Sequence, residues 1–416
     1  MSLFHPSPDT RPSETGKSLS EAVFDASSVQ DFVPERYQEH FDELRKKIRA
    51  FCQEFGIAND ALRNVETFGV ALRSSTIPAE RMTEAVSLFQ QLEHLVTHGE
   101  PLKETLPGYL QETERLYNLR EQYAAQVVLI EQLGILEGGA ILGIDGNNYP
   151  LPTLEQIAQR LYEQREKLKT KHEQGFTKLL LVPFGMSLHA LFTMFKRFLL
   201  DYEEAHADFH LDVDNPFYQW EKYDGADFGG FPYLVYNPKS FDKDNHQGQA
   251  KIEILEAQTA DPDTTAPGWR IHLFQPQDPA DLHSPGFARI SQGGEANDYG
   301  EELPRFDIKA GLSPIRFLDS VLSFRDNPDS PYHSESGMTP EDWMFAFMTH
   351  VTETGQPLDN YQNNKDSRDF LLGAFFPFSA DVPCAYWDRG NLQAGLGKNS
   401  PGDRVDCIGV RTSVIV

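Results

Sequence analysis

The chain has 416 residues, 39% of them hydrophobic and 12% aromatic, so it is long and apolar enough for more than one core and is not a disordered protein. Its 37 basic and 63 acidic residues give a formal net charge of −26 and an isoelectric point of about 4.8. A surface this acidic repels phosphate backbones and anionic lipids, which excludes nucleic acids and membrane surfaces as expected partners.

The cysteines and the start of the chain indicate a compartment. Three cysteines, Cys52, Cys384 and Cys407, are too few for a disulfide framework and are typical of a reducing environment. The first residues lack a basic segment followed by an apolar run, and no stretch approaches the roughly 18 apolar residues of a membrane span. We therefore expect a cytoplasmic protein with no signal peptide and no transmembrane segment.

The N-terminal part of the chain is predicted to be helical. Residues 1–30 are rich in Pro, Ser and Thr, which predicts a flexible arm, and helices are predicted over 31–137. A second helix is predicted to begin at Pro78 and a third near Tyr109. In the first helix, apolar residues recur at alternating spacings of three and four and form one stripe: Tyr37, Phe41, Leu44, Ile48, Phe51 and Phe55.

These single apolar stripes favour a helical bundle, because each helix must bury its stripe against another element. The alternative is that the stripes join copies of the chain into a homo-oligomer through the N-terminal helices. Packing within the chain is favoured, because no heptad run persists long enough to predict an extended coiled coil.

A linker and a helix are predicted over 138–175. Glycine and asparagine punctuate the start of this segment, which is typical of turns and places the domain boundary there. Thr153 and Gln156 have the spacing of a capping box ahead of a helix over 154–174. Residues 176–416 then form the second predicted domain.

In the second domain the sequence pattern changes to short strands, helices and long loops. The predicted elements are strands at 178–182, 233–236 and 269–274, and helices at 187–200, 306–323 and 339–350. The tail from Gly409 to Val416 is rich in β-branched residues, which predicts a strand that ends inside a sheet. The fold class predicted for the whole chain is α+β.

The C-terminal residues 382–416 read VPCAYWDRGNLQAGLGKNSPGDRVDCIGVRTSVIV. Together with LGAFFP at 372–377 and TPEDWMFAFMTH at 339–350, this pattern resembles the variable proteins of diversity-generating retroelements. Those proteins end in a C-type-lectin fold of the formylglycine-generating-enzyme type, and a reverse transcriptase rewrites their C-terminal segment at adenines only. With the predicted helices, the resemblance implies an N-terminal helical bundle followed by a C-type-lectin-like domain.

The resemblance implies a non-enzymatic binding protein whose C-terminal segment displays a diversified recognition surface for a protein or small-molecule ligand. In that family the rewritten asparagine codons cannot yield Lys, Glu, Gln, Met or Trp. The implied ligand-binding positions pass this test: Cys384, Tyr386, Asp388, Arg389, Asn391, Leu392, Gly395, Gly397, Asn399, Asp403, Val405, Asp406 and Cys407. The implied scaffold positions are Trp387, Gln393, Leu396, Pro401, Gly402, Gly409 and Arg411.

Two other classes of protein stay open. A modifying enzyme or oxidoreductase of the formylglycine-generating type would use reactive cysteines, but the spacing of Cys384 and Cys407 does not reproduce that pair. An oligomeric structural protein would be built on the N-terminal helices. No H-E-x-x-H, G-x-S-x-G or complete P-loop motif is present, so no catalytic residue is assigned.

No metal or cofactor site is predicted from a motif. Asp212 and Asp214 alternate as calcium ligands do, but the spacing of an EF-hand and its closing Glu are absent. Calcium is therefore the one cofactor that stays open, and no other metal is expected.

Overall fold

The computed structural model describes residues 33–34, 37–57, 85, 88, 91–92, 94–96, 107–228, 233–261, 266–292, 305, 307–361 and 367–416. They belong to two compact units, Met1–Thr105 and Leu106–Val416. The predicted arm at 1–30 lies outside the described residues, as does the start of the helix predicted from Pro78. Over the described part of the chain, no helix is long and apolar enough to cross a membrane.

The first unit is built on helix α1 (Gln38–Phe55). The helix ends at Gly56, whose φ of 64° places it in the left-handed region that glycine adopts without strain. The predicted apolar stripe is confirmed in its central residues, which are buried: Phe41, Leu44, Ile48 and Phe51. They share a hydrophobic cluster with Ala85, Leu92 and Leu95 from helical residues between 85 and 96.

The second unit is mixed α+β, which confirms the coarse fold class. Its helices are α2 (Gly108–Tyr117), α3 (Leu119–Leu133), α4 (Leu154–Glu163), α5 (Arg165–Glu173), α6 (Leu188–Ala205), α7 (Lys251–Ala260), α8 (Pro314–Ser320) and α9 (Pro340–Thr354). Short 3₁₀ turns occur at Glu221–Tyr223 and Leu322–Phe324. The helix predicted over 306–323 is therefore confirmed only as the short helix α8 and the turn after it.

The strands of the second unit are short and form two larger sheets and two pairs. The four-stranded sheet has the order β3 (Lys178–Val182), β6 (Arg270–Phe274), β14 (Thr412–Ile415), β7 (Glu335–Gly337). The six-stranded sheet has the order β13 (Ile408–Gly409), β9 (Arg368–Phe370), β11 (Val382–Asp388), β12 (Gln393–Asn399), β4 (Phe217–Gln219), with β8 (Asn360–Tyr361) beside β11. The pairs are β1 (Ala140–Leu142) with β2 (Asn148–Pro150), and β5 (Val235–Tyr236) with β10 (Ala374–Phe375).

The chain ends inside the four-stranded sheet, as the β-branched tail predicts. Strand β14 lies between β6 and β7 and is antiparallel to both, with Val414 opposite Leu273 on one side and Glu335 on the other. The backbone N–H of Val416 donates to the carbonyl oxygen of Ile271 at 2.9 Å. Strand β14 is therefore hydrogen-bonded through its backbone on both sides, and these bonds hold β6 and β7 in one sheet.

Helix α3 packs on strand β3 and belongs to the second unit, whereas the sequence placed it in a bundle with α1. Gln122 of α3 bridges the sheet edge: its Nε2 donates to the carbonyl of Thr177 at 2.9 Å, and its Oε1 accepts from the N–H of Leu179 at 2.8 Å. Gln126 accepts from the N–H of Leu181 at 3.2 Å. Side-chain amides thus satisfy backbone groups that an edge strand would leave open.

The capping box at Thr153 is confirmed, but the helix after it is shorter than predicted. Thr153 accepts from the N–H of Gln156 at 3.2 Å, and the Gln156 side chain accepts from the N–H of Thr153 at 2.9 Å. The predicted helix over 154–174 is interrupted at Gln164, which ends α4 and precedes α5. In the charged run of α5, Lys171 is buried.

Helix α9 is the central helix of the second unit, because every residue from Pro340 to Val351 is buried. Its N-terminus is closed by a capping box between Thr339 and Asp342. The buried carboxylate of Glu341 meets Lys251 Nζ at 2.8 Å and accepts from the hydroxyl of Tyr236 at 2.7 Å. Pairing of this kind is what allows a charged group to lie in a core.

A second buried carboxylate, Glu335 on β7, joins three parts of the fold. It forms ion pairs with Lys171 of α5 and with Arg305, each at 2.7 Å. Burial acts to raise the pKa of Glu335, but the charges of Arg305 and then Lys171 outweigh burial and lower that pKa below its ordinary value. The carboxylate is therefore charged in the folded protein, and its charge contributes to stability.

This ion network predicts sensitivity to acid. A carboxyl group whose pKa falls on folding stabilises the native state above its unfolded pKa, and the contribution is lost as the pH falls through the folded pKa. We expect the free energy of unfolding to decrease as the pH falls below about 4.5. In Glu335→Gln the dependence on pH should be shallower, by up to about 1.4 kcal/mol per pH unit.

Urea unfolding of the full chain between about pH 3 and pH 7 measures this difference. Glu256→Gln, which changes an exposed glutamate on α7, is the matched control and should keep the dependence of the unaltered protein. If the free energy of unfolding depends on pH in the same way in the unaltered protein and in both variants, Glu335 is not the cause of the sensitivity to acid.

Candidate functional site

The predicted recognition segment forms the hairpin of β11 and β12. In its register Tyr386 lies opposite Gly395, and Cys384 lies opposite Gly397. Because side chains alternate along a strand, Trp387 projects to the other face of the hairpin from Tyr386. The hairpin therefore has two faces that differ in composition.

The face that carries Trp387 belongs to the core. Trp387 is buried, with its ring centroid 5.3 Å from that of Phe209 and 5.9 Å from that of Phe347 on α9. Leu396 of β12 is also buried. These contacts hold this face of the hairpin against the core.

The other face carries an aromatic row above glycines. Tyr218 of β4 pairs in register with Gly395, which pairs with Tyr386. A Cβ atom on Gly395 would lie 2.7 Å from the Tyr386 ring, so the ring crosses the strand where only glycine leaves room for it. The guanidinium of Arg368 stacks on the Tyr386 ring, 3.9 Å from the ring centroid.

A depression of about 500 Å³ lies beside this row. Tyr218, which is 45% exposed, lines it together with Gln219, Asn391 and Gln393. The Oε1 atom of Gln219 is buried and accepts no hydrogen bond from any residue that the structure describes. We call the surface formed by Tyr218, Tyr386, Asn391 and Gln393 the recognition face.

The turn between β11 and β12 is held by Asp388. Its Oδ1 accepts from the N–H of Gly390 at 2.8 Å and from that of Asn391 at 3.2 Å. Leu392 follows with a φ of 51°, and its carbonyl accepts from the N–H of Asp212 at 2.8 Å. Asp388 was assigned to ligand binding, but its carboxylate orders the turn, while Asn391 and Leu392 are exposed.

The remaining candidate positions differ in exposure. Asp403 and Asp406 are exposed, and three side chains are half-buried: Arg389, Asn399 and Val405. Gly395 and Gly397 are buried in the ladder, where they make room for neighbouring side chains. Gly395 and Gly397 therefore make room for neighbouring side chains and are not surface residues that could contact a ligand.

The two C-terminal cysteines are interior residues, which corrects their assignment to the ligand surface. Cys384 and Cys407 are buried in one hydrophobic cluster, packed with residues such as Phe370 and Ile408. Burial raises the pKa of the Cys384 thiol to about 11, and burial also raises the pKa of Cys407. Both side chains are small apolar residues of the core in this fold.

The predicted scaffold positions are also not uniform. Gly409 is buried so closely that a Cβ atom would lie 2.4 Å from Ile290, and Arg411 is buried. Gln393 and Pro401 are half-buried. Gly402 is exposed, and a Cβ atom added to it would meet nothing within 4 Å among the described residues, so its packing gives no reason for a scaffold role.

Gly395 and Gly402 provide a matched test of how closely the Tyr386 ring packs on the hairpin. Gly395→Ala forces the Tyr386 ring to move and should cost about 1–3 kcal/mol, as over-packing usually does. Gly402→Ala adds a methyl group in open space and should change stability by less than about 0.5 kcal/mol. Thermal unfolding of both variants measures the difference, and equal changes would contradict the described contact of Gly395.

Arg411 joins the end of the chain to two acidic side chains. Its Nη2 lies 2.9 Å from Asp359 Oδ1, and its Nη1 lies 2.9 Å from Asp369 Oδ2. The indole N–H of Trp343 donates to the second oxygen of Asp359 at 2.9 Å. Neither aspartate was singled out from the sequence, because nothing in its local pattern distinguishes it from the many exposed acids of this chain.

One hydrogen-bonded set has the composition of a hydrolytic triad. His272 lies 2.9 Å from Ser413 Oγ through Nδ1 and 3.1 Å from Asp342 Oδ1 through Nε2. All three residues are fully buried, so a substrate has no access to the serine hydroxyl. The set links β6, β14 and α9 and is a structural element.

Asp212, one of the two calcium candidates, orders a local turn. Asp212 Oδ1 accepts from the backbone N–H groups of Asp214 at 3.1 Å and Asn215 at 3.2 Å, which is a local turn. Across the residues that the structure describes, no group of three His, Cys, Asp or Glu side chains could hold a metal ion.

No protein-family model matches this chain, and no curated protein or solved structure matches it. The second unit is mixed α+β; one face of its β11–β12 hairpin is packed, and the other is packed at Cys384 and partly exposed from Tyr386 to the turn.

Proposed function

We propose that this chain is a non-enzymatic binding protein of the retroelement variable-protein type, with a C-type-lectin-like second unit whose C-terminal hairpin carries the ligand surface. The observation that supports it most is the division of one hairpin into a core face and a recognition face. Trp387 and Leu396 pack inside, while Tyr386 and Asn391 lie on the side that is partly open to solvent.

The chemistry of the recognition face suits binding to a protein or a small molecule. Tyr218 and Tyr386 offer large amphipathic rings, which contribute strongly to interfaces at a low cost in conformational entropy. The exposed amide of Asn391 supplies polar contacts beside them. Side chains held on a rigid sheet can change without changing the fold, which is the requirement for a diversified surface.

The rival proposal, a modifying enzyme with reactive cysteines, is less favoured. A nucleophilic cysteine is a thiolate with a lowered pKa and access to solvent. Burial instead raises the pKa of Cys384 to about 11, and its side chain lies in the core. Loss of an enzymatic activity on changing Cys384 would favour the rival.

Two libraries of the full chain test the proposal. In the first, Tyr386, Asn391 and Leu392 are randomised; in the second, the buried residues Trp387, Leu396 and Arg411 are randomised. We expect most members of the first library to fold, and some of them to bind unrelated protein targets after selection. Most members of the second should be unfolded. A first library that unfolds as often as the second, or that yields no binders, would contradict the proposal.

A further inference from the structure

Two cavities in the second unit share part of their walls. Their volumes are about 480 Å³ and about 330 Å³, and both are lined by Arg289 and Arg411. The smaller one also contains His350, Asp359 and Arg389 in its wall. No residue of the recognition face lines either cavity.

The smaller cavity is lined by more positive than negative charge. Three guanidinium groups, from Arg289, Arg389 and Arg411, face one carboxylate, that of Asp359. That carboxylate is already bonded to Arg411 at 2.9 Å and 3.0 Å. In a chain with a net charge of −26, a cavity with this balance differs from the rest of the protein.

Arg289 is the arginine least committed to the fold. It is exposed, and it forms no hydrogen bond or ion pair with any other residue in the described ranges. It also lies in the walls of both cavities. Its five N–H donors are therefore available, in a planar arrangement that matches a phosphate or carboxylate group.

His350 adds a donor in the same wall. It is only 4% exposed, and its Nδ1 accepts from the backbone N–H of Phe287 at 3.0 Å. Burial, and then the charge of Arg411, lowers the pKa of His350 to about 4, so the ring is neutral at neutral pH. Since Nδ1 is an acceptor, the proton is on Nε2, and no residue within the described ranges accepts a hydrogen bond from it.

We infer that the smaller cavity is a binding site for a small molecule with a phosphate or carboxylate group, which Arg289 and the Nε2–H of His350 hold above Arg411. Charge-assisted hydrogen bonds from arginine to an oxyanion are among the strongest in proteins, and a partly enclosed wall weakens their screening by water. The adjoining cavity, which shares Arg289, leaves space for the remainder of such a molecule.

Isothermal titration of the full chain with inorganic phosphate and with succinate, in a buffer of low ionic strength, tests this inference. We expect at least one of the two probes to bind, and Arg289→Gln to weaken that binding by about tenfold or more, because a charge-assisted hydrogen bond is lost. Arg289→Lys keeps the charge but not the planar donors, so its affinity for the probe should lie between those of the unaltered chain and Arg289→Gln. The stronger of the two probes identifies the group that the site prefers.

Two control variants make the result specific. Arg120→Gln removes an exposed arginine on α3, outside both cavities, and should leave binding unchanged. Tyr218→Ala alters the recognition face and should also leave it unchanged, so this inference and the proposed function can fail separately. Absence of binding by both probes at about 10 mM, or equal binding by Arg289→Gln and the unaltered chain, would overturn the inference.

Discussion

Removal of residues 412–416 should yield insoluble protein. The deleted residues form β14, which lies between β6 and β7 and is hydrogen-bonded to both. Without it, the interior strand β6 becomes an edge with unpaired backbone groups, the edge strand β7 loses its neighbour in the sheet, and the core loses the buried side chain of Val414. Exposed edges beside apolar surface are the usual start of aggregation.

The matched control is Ile415→Thr. Ile415 lies in the same strand but is 40% exposed, so this variant keeps the strand and should stay soluble. Expression of both proteins, followed by sedimentation of the lysate, measures the difference. Hydrogen exchange of the full chain should find the amides of β14 among the most protected. A soluble deletion variant that melts like the full chain would contradict the central position of this strand.

Trp387→Ala should destabilise the second unit by about 3–5 kcal/mol, the usual range for a buried aromatic residue. The indole packs between Phe209 and Phe347, and its removal leaves a cavity between the hairpin and helix α9. Of the residues in the C-terminal segment, it connects the hairpin most directly to the aromatic core.

Leu392→Ala is the comparison for this variant. Leu392 lies five residues further along the same hairpin and is 39% exposed, so its truncation should cost less than about 0.5 kcal/mol. Chemical unfolding of both variants provides the two free energies. Similar losses would remove the distinction between the core face and the recognition face on which the proposed function depends.

Local sequence signals predicted several elements correctly because their causes are local. Thr339 with Asp342 forms a capping box at the start of α9, and the apolar run 178–182 forms a buried strand. The β-branched tail likewise predicted β14. In each case the signal lies within a few residues and does not depend on the partner element.

Contacts between residues that are far apart in the sequence could not be predicted from such local signals. The apolar stripe of α3 indicated burial but not that Gln122 and Gln126 would bond to strand β3. The pairing of Arg411 with Asp359 and Asp369 joins residues far apart in sequence. Such contacts depend on the packed fold, and acidic residues that form them look like any exposed acid in the chain.

The resemblance indicated the segment 382–416 as the candidate site, but neither its hairpin nor the exposure of each residue was predicted. The structure places Trp387 and Tyr386 on opposite faces of β11. The test by codon type could not see burial, so it included Cys384 and Gly395, which are interior. It also could not include Tyr218, because this residue comes from β4, far from the C-terminal segment.

We propose that a retroelement rewrites the C-terminal segment while the scaffold is kept. Sequencing the DNA that flanks the gene tests this claim most directly. We predict a reverse-transcriptase gene nearby and a near-copy of the 3′ end of this gene that differs only where the copy has adenines, with the differences falling on codons such as those of Tyr386, Asn391 and Leu392. Flanking DNA with neither a reverse transcriptase nor such a copy would contradict the claim.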